Sequence, residues 1–566
     1  MTDLENTYPR EPQVVGLAVT RNHAGEESTQ ATPIAAKHDI DAQIELEKQD
    51  RSQDSVPLSL TEGCLPVTDQ EPSQKRIVRF ADGDPEQPNN WPQWKKLYAL
   101  FVAMISVINS TISSTLAAGA TAPISEHFHE TNEIHLILPT SIFLVGYVAG
   151  PMIWAPLSES YGRKWTMIAS FAVFSIFSVA SAVAPTFAAL VVFRLFVGLG
   201  GSCAISVVGG VCADVYHDPS SRGLSMAIFL VFTTWGPVLG PLISGFISTV
   251  SWSWAFWIGA ISAGASLPFF FFYPETYAPV ILKYRAQRLR TETGDMSIVA
   301  PIELEKTDLR HVVTVVLTRP LRMFCFEPLV LFTCLYLSYA YTIFYIYFQS
   351  YPLIFTDVYH FRPGLRGLTF LPIGLGAIIA CLLYHIWDTL LLRAQHLHKP
   401  WSRAEEMRRL PLACIAGPFF VTSAFWLGWT ARPDIHWVVP TLAGLCFGVG
   451  YLCLFMALLN YLVDAYALYA ASAMAASSLS RSVFGAVLPF AARPMYRAMG
   501  VPWATSLLGF LSLALCVIPF VFVRWGARMR ERSPFCRDLK RREEEALEED
   551  ERRRKGRVGG SGEEKV

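Results

Sequence analysis

The chain has 566 residues, of which 52% are hydrophobic and only 17% charged, against roughly 25% charged in soluble proteins. Its 47 Lys and Arg cancel its 47 Asp and Glu. This excludes an ordinary soluble globular protein and leaves no basic surplus to recruit nucleic acid.

Residues 1–96 are rich in Glu, Gln, Asp, Ser and Pro, with few aromatics before Phe80. Such a segment buries too little apolar surface to offset its ordering entropy, so a disordered tail is expected. It contains no apolar stretch of signal-peptide type, and the first membrane span is expected to act as the targeting signal. Trp91, Trp94, Lys95 and Lys96 then suit a membrane interface.

Twelve spans follow, expected near 97–118, 134–155, 165–184, 187–212, 224–247, 254–273, 327–350, 367–388, 410–430, 437–459, 470–492 and 503–524. Each has about the 20 residues that a helix needs to cross ~30 Å of hydrocarbon. The polar segment 274–326 divides them into two sets, 97–273 and 327–524, and a charged tail occupies 525–566. Lys and Arg concentrate in alternate loops, among them Arg163, Lys164, Arg222, Arg285, Arg393 and Arg409. Both termini and the central loop are therefore expected on the cytoplasmic side. The first outer loop carries His127, His129, Glu126, Glu130 and Glu133; it reads as a solvated loop rather than a metal site.

Eleven cysteines are scattered through the chain, most inside apolar runs, and none forms C-x-x-C. They read as small packing residues. The nucleotide-binding pattern G-x-x-x-x-G-K-[ST] is absent, as are H-E-x-x-H and G-x-S-x-G. No enzyme, cofactor or metal is expected, and a pump of this kind must draw on an ion gradient.

The stretch Ala155-x-Leu157-x-Glu159-x-x-Gly162-Arg163-Lys164, between the second and third spans, is a charged hairpin with Gly162 available for a tight turn. It resembles the loop signature of the major facilitator superfamily, with Ala155 where glycine is usual and Glu159 where aspartate is usual. Arg194-x-x-x-Gly198-x-Gly200 resembles the span-four signature of its proton-coupled members, and Asp214 and Arg222 bracket the next turn. Gly236-Pro237-x-x-Gly240-Pro241-x-x-x-Gly245 resembles the span-five antiporter signature, which implies export. Pro274-Glu275-Thr276-x-x-Pro279-x-Ile281-Leu282, followed by a basic amphipathic segment, resembles the fungal branch of twelve-span drug:proton antiporters. The likeness covers roughly 90–530, with Ser253 standing where arginine is common.

The resemblance implies an all-α membrane protein of the major facilitator fold, with 12 transmembrane helices in two six-helix halves and a substrate site between them. It implies efflux of a small organic molecule by alternating access, coupled to protons, from a monomer in the plasma or vacuolar membrane. Gating or coupling roles fall to Glu159, Gly162, Arg163, Lys164, Asp214, Arg222, Gly236, Pro237, Gly240, Pro241 and Glu275. Mid-span polar and aromatic residues are candidates to line the cavity: Asn109, Tyr147, Arg194, Tyr339, Tyr345, Gln349, Asn460 and Arg481. The aromatic run of span seven (Tyr336, Tyr339, Tyr341, Phe344, Tyr345, Tyr347, Phe348) is expected to face mostly lipid and the interfaces, with some rings lining a cavity suited to flat or cationic organic molecules. No Asp or Glu stands mid-span, so a strongly cationic cargo lacks an obvious counter-ion, and a neutral or weakly charged drug or secondary metabolite is expected. A polyamine or other metabolite carrier, including an uptake carrier, and a nutrient sensor would share the fold.

Overall fold

The computed structural model describes residues 75–81, 83–304, 309–404, 406–466, 469–538 and 540–541. The outer parts of both expected tails lie outside these residues. Long apolar runs fold as helices because only intrachain hydrogen bonds satisfy a backbone in hydrocarbon. They are α1 (Gln93–Gly119), α2 (Leu138–Tyr161), α3 (Arg163–Ala182), α4 (Phe187–Val215), α5 (Pro219–Ile247), α6 (Trp254–Phe271), α7 (Pro328–Tyr351), α8 (Leu371–His396), α9 (Glu406–Thr430), α10 (Val438–Tyr466), α11 (Ala470–Val487) and α12 (Ala492–Arg532).

By length and composition, the described residues form 11 helical runs able to cross a membrane, the last spanning Ala470–Arg532. That run doubles back. It breaks through a 3-10 turn at Leu488–Ala491 and at Gly500, whose φ is 72°. Arg493 and Arg497 pair with Glu133 at one end of the molecule. At the other end, Cys536 meets the carbonyl of Ala465, and the Tyr469 hydroxyl bonds to Asp538. The run thus supplies the eleventh and twelfth passages.

Within the first half, α1 packs on α5, α2 and α3 on α4, and α3 on α6; within the second, α9 packs on α10 and α12, α8 on α10, and α7 on α11 and α12. The halves meet where α2 lies against α11 and α5 against α8.

Several helices outrun their apolar cores. α2 continues to Tyr161, so the hairpin expected over 156–164 is helical except at Gly162, with φ 94°. Hydropathy marks the hydrocarbon-soluble part of a helix, whereas the charged ends persist because their side chains find partners. The aromatic run of α7 corrects a second expectation. Tyr336, Phe344, Tyr345, Tyr347 and Phe348 are buried rather than facing lipid. Phe344 packs at a tilt on Phe447 and Tyr451 of α10, and Tyr347 stacks on Tyr351. α7 turns these rings inward and leaves Phe332 and Leu335 exposed near its start.

Residues 75–81 and 83–92 of the expected tail dock on the central segment. β1 (Arg76–Ile77) pairs in parallel with β2 (Ile298–Val299). Val78 joins Leu282, Ala286, Ile298 and Ala300 in a small core beneath the helix Ala278–Thr293. Arg285 reaches Asp84 at 2.5 Å and Arg288 reaches Glu86 at 2.9 Å. Burial alone would raise the Asp84 carboxyl, but the Glu86 N–H and the Arg285 guanidinium outweigh it and hold it below the usual carboxylate range.

Candidate functional site

A central cavity of about 30 Å³ is walled by both halves: Tyr147 and Ser202 from the first, Tyr341, Tyr451, Phe455 and Arg481 from the second. That is room for about one or two waters, far below the 300 Å³ or more of an organic-ligand pocket. Hydroxyls tie its walls together. Tyr147 shares a 2.5 Å hydrogen bond with Ser110, which donates to the Gly201 carbonyl at 2.7 Å. Tyr341 donates to Tyr345 at 3.4 Å, and Tyr345 crosses to Ser114 of α1 at 3.2 Å. Arg481 donates from Nε to the Ser477 carbonyl at 3.1 Å and lies 5.1 Å over the Phe455 ring.

Of the residues singled out in the sequence for the cavity, Tyr147 and Arg481 line it, with Tyr345 one hydrogen bond behind. Arg194 does not. Its guanidinium donates to the carbonyls of Pro139, Ser113 and Ser114 and to the Ser113 hydroxyl, with the rings of Phe143 and Phe256 on either side, so it ties α4 to α1 and α2. Asn109 joins α1 to α6 through Ser262 and Ser266. Tyr339 donates to the Leu508 carbonyl of α12 at 2.5 Å. Gln349 is buried toward the far end of α7, and Asn460 is half-buried on α10. Tyr451, Phe455 and Ser202 escape a sequence reading, because nothing in an apolar run says which side of a helix faces the cavity.

The proline-glycine seam lies beside this cavity. Pro241 has no N–H, which leaves the Pro237 carbonyl four residues earlier without its helical partner. Thr115 of α1 supplies one, donating from Oγ1 at 3.1 Å. Gly236 and Gly240 let α1 approach: a Cβ at either would collide with the Thr111 or Thr115 hydroxyl and lie 2.9 Å from the Ile112 backbone. The seam is therefore a close, hydrogen-bonded contact between α1 and α5.

At the basic end, Arg163 pairs with Asp214 at 3.2 Å, donates to Ser158 Oγ at 2.7 Å and lies 4.7 Å over the Tyr277 ring. Glu275 accepts the backbone N–H of Arg163 at 2.8 Å and of Lys164 at 3.1 Å, which caps α3. A Cβ on Gly162 would fall on that carboxylate. Glu159 and Arg222 make no ion pair among the described residues; Glu159 is exposed and Arg222 half-buried. The second half repeats the device. Arg409 pairs with Asp464 at 3.1 Å and donates to the Tyr384 hydroxyl at 2.8 Å, and Arg530 pairs with Glu406. The partners are 51 residues apart in the first half and 55 in the second, a repeat that could have been read in the sequence.

Both ends are bridged between the halves. At the basic end Ser220 donates to Asp388 at 3.0 Å. At the opposite end Glu133 pairs with Arg497 at 2.6 Å and Arg493 at 3.6 Å. Burial would raise the Glu133 carboxyl, but these two guanidinium groups hold it below the usual range.

A family model described as Major Facilitator Superfamily matches residues 100–489. A citrinin biosynthesis cluster transporter of Monascus ruber is 38% identical, covering 80% of this chain and 90% of its own length. An efflux pump of Gibberella moniliformis is 35% identical over 81% of this chain and 77% of its own. A multidrug transporter of Aspergillus fumigatus is 34% identical over 81% and 76%. Among solved structures, the proton:xylose symporter XylE superposes with a TM-score of 0.57 at 14% identity, covering 76% of this chain and 97% of that one.

Proposed function

The chain belongs to the major facilitator superfamily, and from that premise we propose that it exports a small organic molecule by alternating access, driven by protons. The observation that carries the reading is the narrow central cavity, walled by both halves and lying between bridges that join them at both ends. An organic cargo fits only when one set of bridges opens and the halves part. The α1–α5 seam at Gly236, Pro237, Gly240 and Pro241 supports the outward direction, and so do relatives named as efflux pumps and as transporters of metabolite clusters.

In this reading Arg163–Asp214 with Glu275, and Arg409–Asp464, lock the basic end and must break in each cycle. The carboxylates near that end, among them Glu159, Asp214 and Glu275, are the groups available to exchange protons. The Lys and Arg distribution supports a cytoplasmic basic end and cytoplasmic termini. The protein works as a monomer in the plasma membrane. Transport in vesicles with and without a protonophore tests the coupling: loss of transport on collapse of the gradient is expected, and indifference to it rejects proton drive.

A further inference from the structure

We propose that the cargo is an organic anion, a carboxylate or a comparably acidic group, held in the central cavity by Arg481. The proposal rests on the transporter reading above and names the substrate class of the same site. Arg481 is the one charged residue in the described cavity wall; the other residues there are hydroxyl-bearing, aromatic or aliphatic. It stands in the middle of α11, eleven residues after Ala470 and six before Val487.

A guanidinium offers five N–H donors. Here Nε bonds to the Ser477 carbonyl, and the two terminal NH₂ groups have no hydrogen-bond partner among the described residues. The Phe455 face lies beside it at 5.1 Å and fixes its plane. No acid is within reach. The buried carboxylates among the described residues are Asp84, Glu327 and Glu406, none of them in the cavity wall. Glu327 opens α7 fourteen residues before Tyr341, about 20 Å along the helix.

Arg194 shows the contrast. Every nitrogen of that guanidinium is bonded to carbonyl or hydroxyl oxygen, so it is a brace and asks for nothing more. Arg481 keeps the planar fork that binds a carboxylate through two parallel hydrogen bonds. An arginine facing a low-dielectric cavity at mid-span, with its fork unoccupied, favours an anion over a neutral cargo and repels a cation. Tyr341 and Tyr451 add hydroxyl donors and flat faces for the rest of such a molecule.

The test uses the full chain reconstituted in lipid vesicles and a matched trio of probes: 2-naphthoic acid, its methyl ester and 2-naphthylmethylamine, at neutral pH. Flux of each is measured for the unaltered protein, Arg481→Gln and Arg481→Lys, with the amount of folded protein equalised by size-exclusion profile. The naphthoate is expected to move fastest. Arg481→Gln is expected to cut naphthoate flux at sub-saturating concentration about tenfold or more while ester flux falls far less, and Arg481→Lys to recover part of the loss. A merely structural arginine would lower all three fluxes together, which overturns the proposal. Preference for the ester or the amine, unchanged in Arg481→Gln, also overturns it and leaves transport standing. If none of the three moves, the anion assignment falls. Intracellular accumulation in a deletion strain then decides separately whether export falls with it.

Discussion

The Glu275 carboxylate sits over Gly162 and accepts the backbone N–H groups of both Arg163 and Lys164, at 2.8 and 3.1 Å. A residue that follows the last helix of the first half thus caps the helix opened by the charged turn. Gly162→Ala would have to hold φ near 94° and would place its Cβ on that carboxylate. Strain of this kind costs roughly 1–2 kcal/mol, before the cap is lost. We expect Gly162→Ala to lower both the folded yield and vesicle transport, and Glu275→Gln, which keeps the shape, to do so less. Equal yield and equal flux for Gly162→Ala would show that the turn tolerates a side chain.

Arg163→Ala is expected to slow turnover more than it weakens substrate binding. Its contacts with Asp214, Ser158 and Tyr277 belong to the closed basic end and lie outside the cavity wall. Arg409→Ala should behave alike, because it holds the same place in the second half. Transport kinetics separate the two effects. A raised half-saturation constant with unchanged maximal rate would assign these arginines to binding.

Thr115→Val removes the hydroxyl that takes up the Pro237 carbonyl. An unsatisfied buried carbonyl costs about 1–3 kcal/mol, and the expected result is a lower thermal midpoint in detergent. Thr115→Ser, which keeps the donor, should recover most of it. No difference between valine and serine would mean that the carbonyl has found another partner.

Two ion-pair groups outside the membrane should respond to acid. The Asp84 and Glu133 carboxyls are held below their usual range in the folded protein. Their contribution is therefore complete above the ordinary carboxylate pKa and is lost as pH falls through the lower folded value. Hydrogen exchange of the described residues within 76–91, corrected for the intrinsic slowing of exchange in acid, should quicken as pH is lowered through that range, and Asp84→Asn should quicken it at neutral pH. Glu133→Gln should loosen the end opposite the basic loops, read as faster labelling of a cysteine placed beside Arg493. The exposed Glu133–Arg497 pair contributes only about 0–1 kcal/mol, so the shift in labelling is modest. Identical exchange across the pH range would remove these pairs from the account.

Much of the fold was readable because hydrophobic length and loop charge are one-dimensional signals. The turn at Gly162 and the proline seam of α5 followed from motifs in short stretches of chain. What stayed hidden depended on the third dimension. The rings of Tyr336, Tyr347 and Phe348 looked suited to lipid, yet they are buried, because position within the bundle is not encoded in the composition of α7. Arg194 and Arg481 looked equivalent as mid-span arginines. One is closed by carbonyls and the other faces the cavity, a difference set by helix rotation. The docking of Asp84 and Glu86 on the helix Ala278–Thr293 joins segments about 200 residues apart. Its charges had read as a solvated tail.

The export reading itself is tested most directly in cells. Intracellular accumulation of a panel of labelled small organic compounds is measured with the gene present, deleted and restored. At least one compound, an organic acid among the first, is expected to accumulate more on deletion and to return to its original level on restoration. Lower accumulation in the deletion strain would contradict export and make the protein an uptake carrier.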